Sequence, residues 1–348
     1  MSKYMTQMGD GYRAEFTAEE IKTDIEEGTQ DAVRRGKIEP LGEEDKRRLF
    51  EIVTRPDRSV GVDRGNEVVV SYDSGTTKFN RCNVEVSKLQ SLQIYERLLG
   101  ADTLEFAHID YSYKPVKPIV VFEQPRFEQA LLITIPPLFY GAMPNLGLYS
   151  QPDGPCPNPG DLLPKGQIKE ARESYEKQIE HSVKDMVYVA SRMYEAGADG
   201  INFDTTAAAG DAEFYATLKA IETLHKKYPQ MCIQMGMASE FVLGMHGELY
   251  YDGVRLAGLY PHKQLELAEK VGVRIFGPAI NIVTTQSLPW NVARSVTFVK
   301  ACVEKAKIPI HACMGMGVCG VPLTLSVPVD ALTRASKAMV DITRLDGL

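Results

Sequence analysis

GADGINFDTTAAAGDAEFYATLKAIETLHKKYPQMCIQMGMA, residues 197–238, reads as a strand, a helix and a second strand. The two strands, GADGINFD (197–204) and MCIQMGMA (231–238), are apolar on both faces, the mark of a parallel sheet covered by helices. Between them Phe214, Leu218, Ile221 and Leu224 recur at helical spacing and make one apolar stripe.

The same alternation extends in both directions. A helix over 170–196 precedes the unit. A helix opening at Pro261 follows it, at the position where a missing N–H costs nothing. Then come VRIFGPAINI (273–282), a helix through Val296, Val299 and Val303, IPIHACMGMG (308–317), and a helix carrying Leu332, Ala335, Met339 and Ile342. Two earlier runs, TLEFAHID (103–110) and QALLITI (129–135), add strands. The expected fold is α/β, a TIM-type (β/α)8 barrel. About six of the eight strands such a barrel needs are legible, so it reads as incomplete toward the C-terminus. Residues 1–99 read as an N-terminal extension of helices and a hairpin, with Thr17-Ala18-Glu19-Glu20 a helix start and a strand or hairpin over 61–82. The barrel domain is then 100–348. Residues 150–168, rich in proline and glycine, read as a long loop.

Composition narrows the class of function. Of 348 residues, 44% are hydrophobic and 24% charged, as in an ordinary folded protein. Acidic residues (46) outnumber basic ones (39), which argues against a nucleic-acid partner. The six cysteines are scattered, with no secreted disulfide spacing. The N-terminus has no apolar signal region, and the most apolar stretch, 130–143, is too short to span a bilayer. A cytoplasmic location without membrane attachment is expected.

Chemistry in parallel α/β folds gathers at the carboxyl ends of strands. Those ends present Asn202 and Asp204, then Glu240 and His246, then Asn281, with His108 and Asp110 on the earlier run. Alternation places Asn202 and Asp204 on one face, and likewise His108 and Asp110. Asp204, Glu240, Asn202, His108 and Asn281 are therefore the candidate catalytic residues, Asp204 and Glu240 foremost. The competing reading is that some of them cap the helices that follow.

Other features are less specific. His311, Cys313 and Cys319 are zinc-ligand types, but their spacing matches no strong zinc pattern, and inert buried cysteines explain them equally. The glycines of MGMGVCG (314–320) would let a ligand approach the backbone. Tyr111, Tyr113, Tyr140 and Tyr149 either line a cation site or pack half-buried, and Trp290 reads as packing at a helix start.

Long stretches, in order along the chain, resemble the dimethylamine:corrinoid methyltransferases. They are MGDG (8–11), GADTLEFAHIDYSYKPVKP (100–118), PLFYGAMPNLGLY (137–149), PDGP and NPGDL within 152–162, GADGINFDTTAAAGD (197–211), VLGMHG (242–247), YDGVRLAGLYPH (251–262), MGMGV (314–318) and TRASKAMV (333–340). The resemblance implies an enzyme that moves a methyl group from dimethylamine to the cobalt(I) of a cognate corrinoid protein, releasing monomethylamine. The partners implied are that protein and a small amine. No tightly bound cofactor and no metal ligand are expected, because the corrinoid belongs to the partner. The oligomeric state, homo-oligomer included, stays open.

The resemblance also implies pyrrolysine, whose ring imine would capture the amine. None of residues 1–348 is pyrrolysine, and its place is expected just after Leu348. A chain shortened there would expose a strand edge and lack transfer activity. Two other readings compete: a zinc-dependent thiol methyltransferase using His311, Cys313 and Cys319, and a chain that only docks a corrinoid protein. The expected observation is an in-frame amber codon within a few codons of that for Leu348, with further coding sequence beyond. Sequencing the gene checks it, and an ochre or opal codon there contradicts it.

Overall fold

The computed structural model describes residues 3–63, 65–66, 68, 77–79, 84–86, 139–244, 247–324 and 327–348. They fall into two compact units. The first holds the described residues up to 68, those between 77 and 86, and Pro278–Leu348; the second holds those between 139 and 277. The expected boundary at 99/100 lies outside the described residues, as do the expected strands 103–110 and 129–135. Among the described residues no helix is long and apolar enough to cross a membrane.

The first unit opens with a feature the sequence reading missed. Residues expected to begin in helix instead form an antiparallel hairpin, β1 (Lys3–Gln7) against β2 (Arg13–Thr17), with Lys3 opposite Thr17 and Gln7 opposite Arg13. MGDG makes the turn, where Gly11 takes a left-handed φ of 87°. The expected helix start then appears: α1 (Ala18–Gly36) is capped by Thr17, and Thr17 and Glu20 satisfy each other's backbone N–H groups as a capping box. α2 (Glu43–Val53) follows. Of the strand or hairpin expected over 61–82, the described strand is β3 (Thr77–Phe79), and it pairs antiparallel with β4 (Val84–Val86), which lies beyond the expected span.

The second unit is the α/β part. β5 (Phe139–Ala142), α3 (Ile168–Glu195), β6 (Gly200–Thr206), α4 (Asp211–Lys227) and β7 (Cys232–Met237) come in succession. A two-residue hairpin follows, β8 (Tyr250–Tyr251) with β9 (Val254–Arg255), then α5 (Pro261–Val271) and β10 (Ile275–Gly277). Strands β10, β7, β6 and β5 form a four-stranded sheet in that order, all pairs parallel. This is a mixed α/β fold built on a parallel sheet. The stripe Phe214, Leu218, Ile221 and Leu224 of α4 is fully buried, and so are Phe203, Ile233, Met235 and Phe276 on alternate positions of the sheet. Each such side chain contributes roughly 1.5–3 kcal/mol. β10 is shorter than the 273–282 run suggested because Pro278 has no N–H to offer the ladder.

The remaining elements return to the first unit: α6 (Leu288–Val303), α7 (Val329–Ala338) and a π-helical turn (Met339–Thr343). The expected strand 308–317 is not formed. Only one parallel bridge is present, His311 with Gly347, supported by Ala312 N–H to the Gly347 carbonyl at 3.1 Å and Ile310 N–H to the Asp346 carboxylate at 2.9 Å. Beyond it Gly317, Cys319 and Gly320 have positive φ and turn the chain around Ile280–Ile282.

Helices α1 and α6 pack closely. A side-chain carbon at Gly28 would lie 2.3 Å from the Trp290 carbonyl oxygen. One turn on, the Thr29 and Thr297 hydroxyls hydrogen-bond at 2.9 Å, and buried Arg294 donates to Asp31 at 2.8 Å. Burial opposes ionisation of Asp31. The Arg294 hydrogen bond and charge, with help from Arg34 and Arg35, outweigh it and hold the carboxyl below the ordinary range. α7 serves as an anchor. Arg334 donates to the backbone carbonyls of Arg55, Asp57 and Arg58, while fully buried Lys337 pairs with Asp63 at 3.0 Å.

Asp31→Asn keeps shape but leaves the Arg294 guanidinium buried without a charge partner. The expected loss of unfolding free energy is about 3–5 kcal/mol by denaturant titration. A loss under about 1 kcal/mol would show that Arg34, Arg35 and solvent already screen the pair.

Candidate active site

The carboxyl end of β6 carries the polar groups. Asn202 lies opposite Gln234 in the β6–β7 register, and Gln234 lies opposite Ile275 in β10. Alternation then places Asn202 and Asp204 of β6, with Gln234 and Gly236 of β7, on one face. The other face carries the apolar set. Asn202 and Gln234 are buried, Asp204 half-buried.

The strand end is irregular. The register shifts between Phe203 and Thr206, and Thr205 and Ala207 take left-handed φ values of 50° and 68°. Such bulged and strained backbone recurs at functional sites. The Thr205 N–H donates to Asp204 Oδ1 at 2.7 Å, which supports the turn. Asp204 is not the cap of α4. That place is taken by Gly210, without a side-chain cap. The carboxylate instead leans over Gly236, where a Cβ would come within 2.5 Å of Oδ1.

Two further acids, which the sequence reading gave no role, fix the surrounding connections. Buried Glu213 accepts N–H groups from Leu146, after β5, at 3.3 Å and from Ala209, after β6, at 3.2 Å. Burial pushes its carboxyl up to about 7, against the lowering effect of these donors. Fully buried Asp211 accepts from Gly247 N–H, beyond β7, at 2.6 Å and from Ala212 N–H at 3.1 Å. The only signal available earlier was the small-residue run AAAGDAE (207–213), which does not show that its acids are buried.

The other candidates are dispersed. Glu240 is buried in the connection after β7, and its backbone carbonyl receives the Gln264 amide at 3.3 Å. Asn281 belongs to the first unit. Its side chain is exposed, and its carbonyl accepts from Arg294 at 3.1 Å. His108, Asp110, His246, Tyr111 and Tyr113 lie outside the described residues. Tyr140 pairs with Ile201 in the β5–β6 register. Tyr149 packs: its hydroxyl donates to Asp185 at 2.9 Å and its ring stacks on His181. Trp290 packs in the first turn of α6, where Ser287 caps its N–H.

The zinc reading finds no geometry. Among the described residues no three His, Cys, Asp or Glu side chains come together to hold a metal ion. Cys313 is exposed, whereas Cys319 is buried and its thiol pushed up to about 12 by that burial. A buried neutral thiol is a packing group.

What the sheet face offers is a set of oxygen acceptors, two amides and a carboxylate, in partly dry surroundings. Such a set suits a small cation.

Glu213 makes stability depend on pH. Its carboxyl titrates near 7 in the folded chain, against an ordinary 4.5. The stabilisation is complete below 4.5 and is lost as pH rises through 7. At about 1.4 kcal/mol per unit the change amounts to about 3 kcal/mol. Thermal unfolding across this window should show a fall that Glu213→Gln flattens; parallel curves for the two proteins would place the titration elsewhere.

Comparison with known families bears on the whole chain. A family model described as dimethylamine methyltransferase matches residues 2–348. The match takes in β6 and β7 with their polar face, and equally the MGDG turn and the α7 anchor of the first unit. The chain belongs to the dimethylamine methyltransferase family.

Proposed function

We propose that this protein transfers a methyl group from dimethylamine to the cobalt(I) of a cognate corrinoid protein and releases monomethylamine. The observation that carries the proposal is the family match over residues 2–348, which supports a methyltransferase role on dimethylamine. The corrinoid acceptor, the monomethylamine product and a cytoplasmic setting belong to the same proposal. The scaffold we propose is a (β/α)8 barrel, of which four parallel strands are described.

The chemistry explains why acceptors are wanted. When the carbon–nitrogen bond breaks, both electrons stay on nitrogen. A neutral amine departs only if that nitrogen carried positive charge beforehand. A carboxylate beside it holds the cation, and can take or return a proton as amine enters and leaves. Asp204 and Glu240 are proposed for this work, Asn202 for orienting the nitrogen, with His108 and Asn281 as the remaining candidates. The partner's corrinoid supplies the electron pair that accepts the methyl group. The residues present here bind, orient and exclude water.

The test uses the full-length gene product with the corrinoid protein reduced to cobalt(I), following monomethylamine release. No release, with a competent corrinoid partner, overturns the function. Asp204→Asn and Glu240→Gln should each lower the rate about 10²–10⁴-fold while thermal unfolding stays unchanged. Wild-type rates in both variants would make these carboxylates structural.

A further inference from the structure

Gln234, like Gln264, is a buried amide of the second unit whose side-chain oxygen is unpartnered among the described residues, and it lies on the polar face of the sheet. Gln234 is 5% exposed. A carbonyl oxygen in that state has lost its water without replacement, and few native groups are left so. Its position gives the omission meaning. Gln234 shares a sheet face with Asn202 beside it and Asp204 one pleat further on, where Gly236 contributes no side chain and the Asp204 carboxylate fills the space instead.

We propose that Gln234 Oε1 and the Asp204 carboxylate form a two-acceptor seat for a secondary ammonium ion, and that Gln234 makes the site select dimethylammonium over trimethylammonium. This inference rests on the function proposed above and deepens it. Residues two apart on a strand are separated by about 6.5 Å, a span that an extended glutamine side chain is long enough to cross. Asp204 already accepts the Thr205 N–H, but an ionised carboxylate has about four acceptor sites, enough for a second donor.

The selection follows from counting donors. Dimethylammonium has two N–H groups and can satisfy both acceptors. Trimethylammonium has one; it leaves the buried Gln234 oxygen unpaired and puts a methyl group against it. A site built to hydrogen-bond a substrate N–H rejects an analogue lacking it more strongly than an apolar pocket rejects an extra methyl group. Gln234 is thus a binding residue whose effect is on specificity, while Asp204 carries the charge.

The experiment is calorimetric binding of dimethylammonium and trimethylammonium chloride to the full-length protein, with turnover of dimethylamine and thermal unfolding run alongside. Wild type should bind dimethylammonium at least about tenfold more tightly. Gln234→Leu should lose about 10–100-fold in dimethylammonium affinity, change little toward trimethylammonium, and melt no lower than wild type, because the unpaired oxygen is gone. Gln234→Glu restores two acceptors and should restore the preference. If Gln234→Leu keeps the preference, or weakens both cations equally, the inference is overturned although the function stands. If wild type neither binds nor turns over dimethylamine, the function fails and this inference with it.

Discussion

Glu213 accepts backbone N–H groups from two successive strand-to-helix connections at once, and the rest of the second unit's polar edge depends on that one buried carboxyl. The connections after β5 and β6 have no regular ladder of their own, so their N–H groups need a partner that water cannot supply in a buried place. A carboxyl group offers several acceptor positions where a backbone carbonyl offers two. Asp211 does the same for Gly247. With both acids in place the chain that follows the β6 bulge is held at Ala209, and the connection beyond β7 at Gly247. Acids that would be read as catalytic on chemical grounds thus include two that accept hydrogen bonds from backbone N–H groups of the surrounding connections.

The stretches that carry the family resemblance divide along the same line. MGDG (8–11) turns a hairpin and lies against Val283–Gln286, with Gly9 N–H bonded to the Gln286 carbonyl. TRASKAMV (333–340) supplies the arginine and lysine that hold residues 55–63. These are architectural. GADGINFDTTAAAGD (197–211), by contrast, combines strand, strained turn and polar face, and here a chemical role has the better physical support. A family match treats all these stretches alike; only their contacts separate them.

Legibility from sequence followed the range of the interaction. The α4 stripe, the Pro261 helix start and the Thr17–Glu20 capping box were all readable, because each depends on residues a few positions apart. β6 and β7 were readable as apolar runs. The β1–β2 hairpin was missed, since its pairs span up to fourteen positions through a turn whose φ values are not written in composition. The run 308–317 looked like a strand, yet its glycines turn it away after His311. Gln234 was passed over because one amide in MCIQMGMA says nothing about which face it takes until β6 pairs with β7. Glu213 was missed for the related reason that burial belongs to the packed chain.

Gly28 shows how narrow the tolerance of such packing is. A glycine inside a helix costs about 1 kcal/mol relative to alanine. The chain carries that cost because the Trp290 carbonyl oxygen occupies the space a methyl group would fill. The obstructing atom is main chain, so trimming the Trp290 side chain cannot make room. A lineage drifting at this position therefore has no second-site partner to exchange with, short of sliding one helix along the other and dislodging Thr297 and Arg294 as well. Position 28 is isolated in sequence space although it is densely surrounded in the molecule.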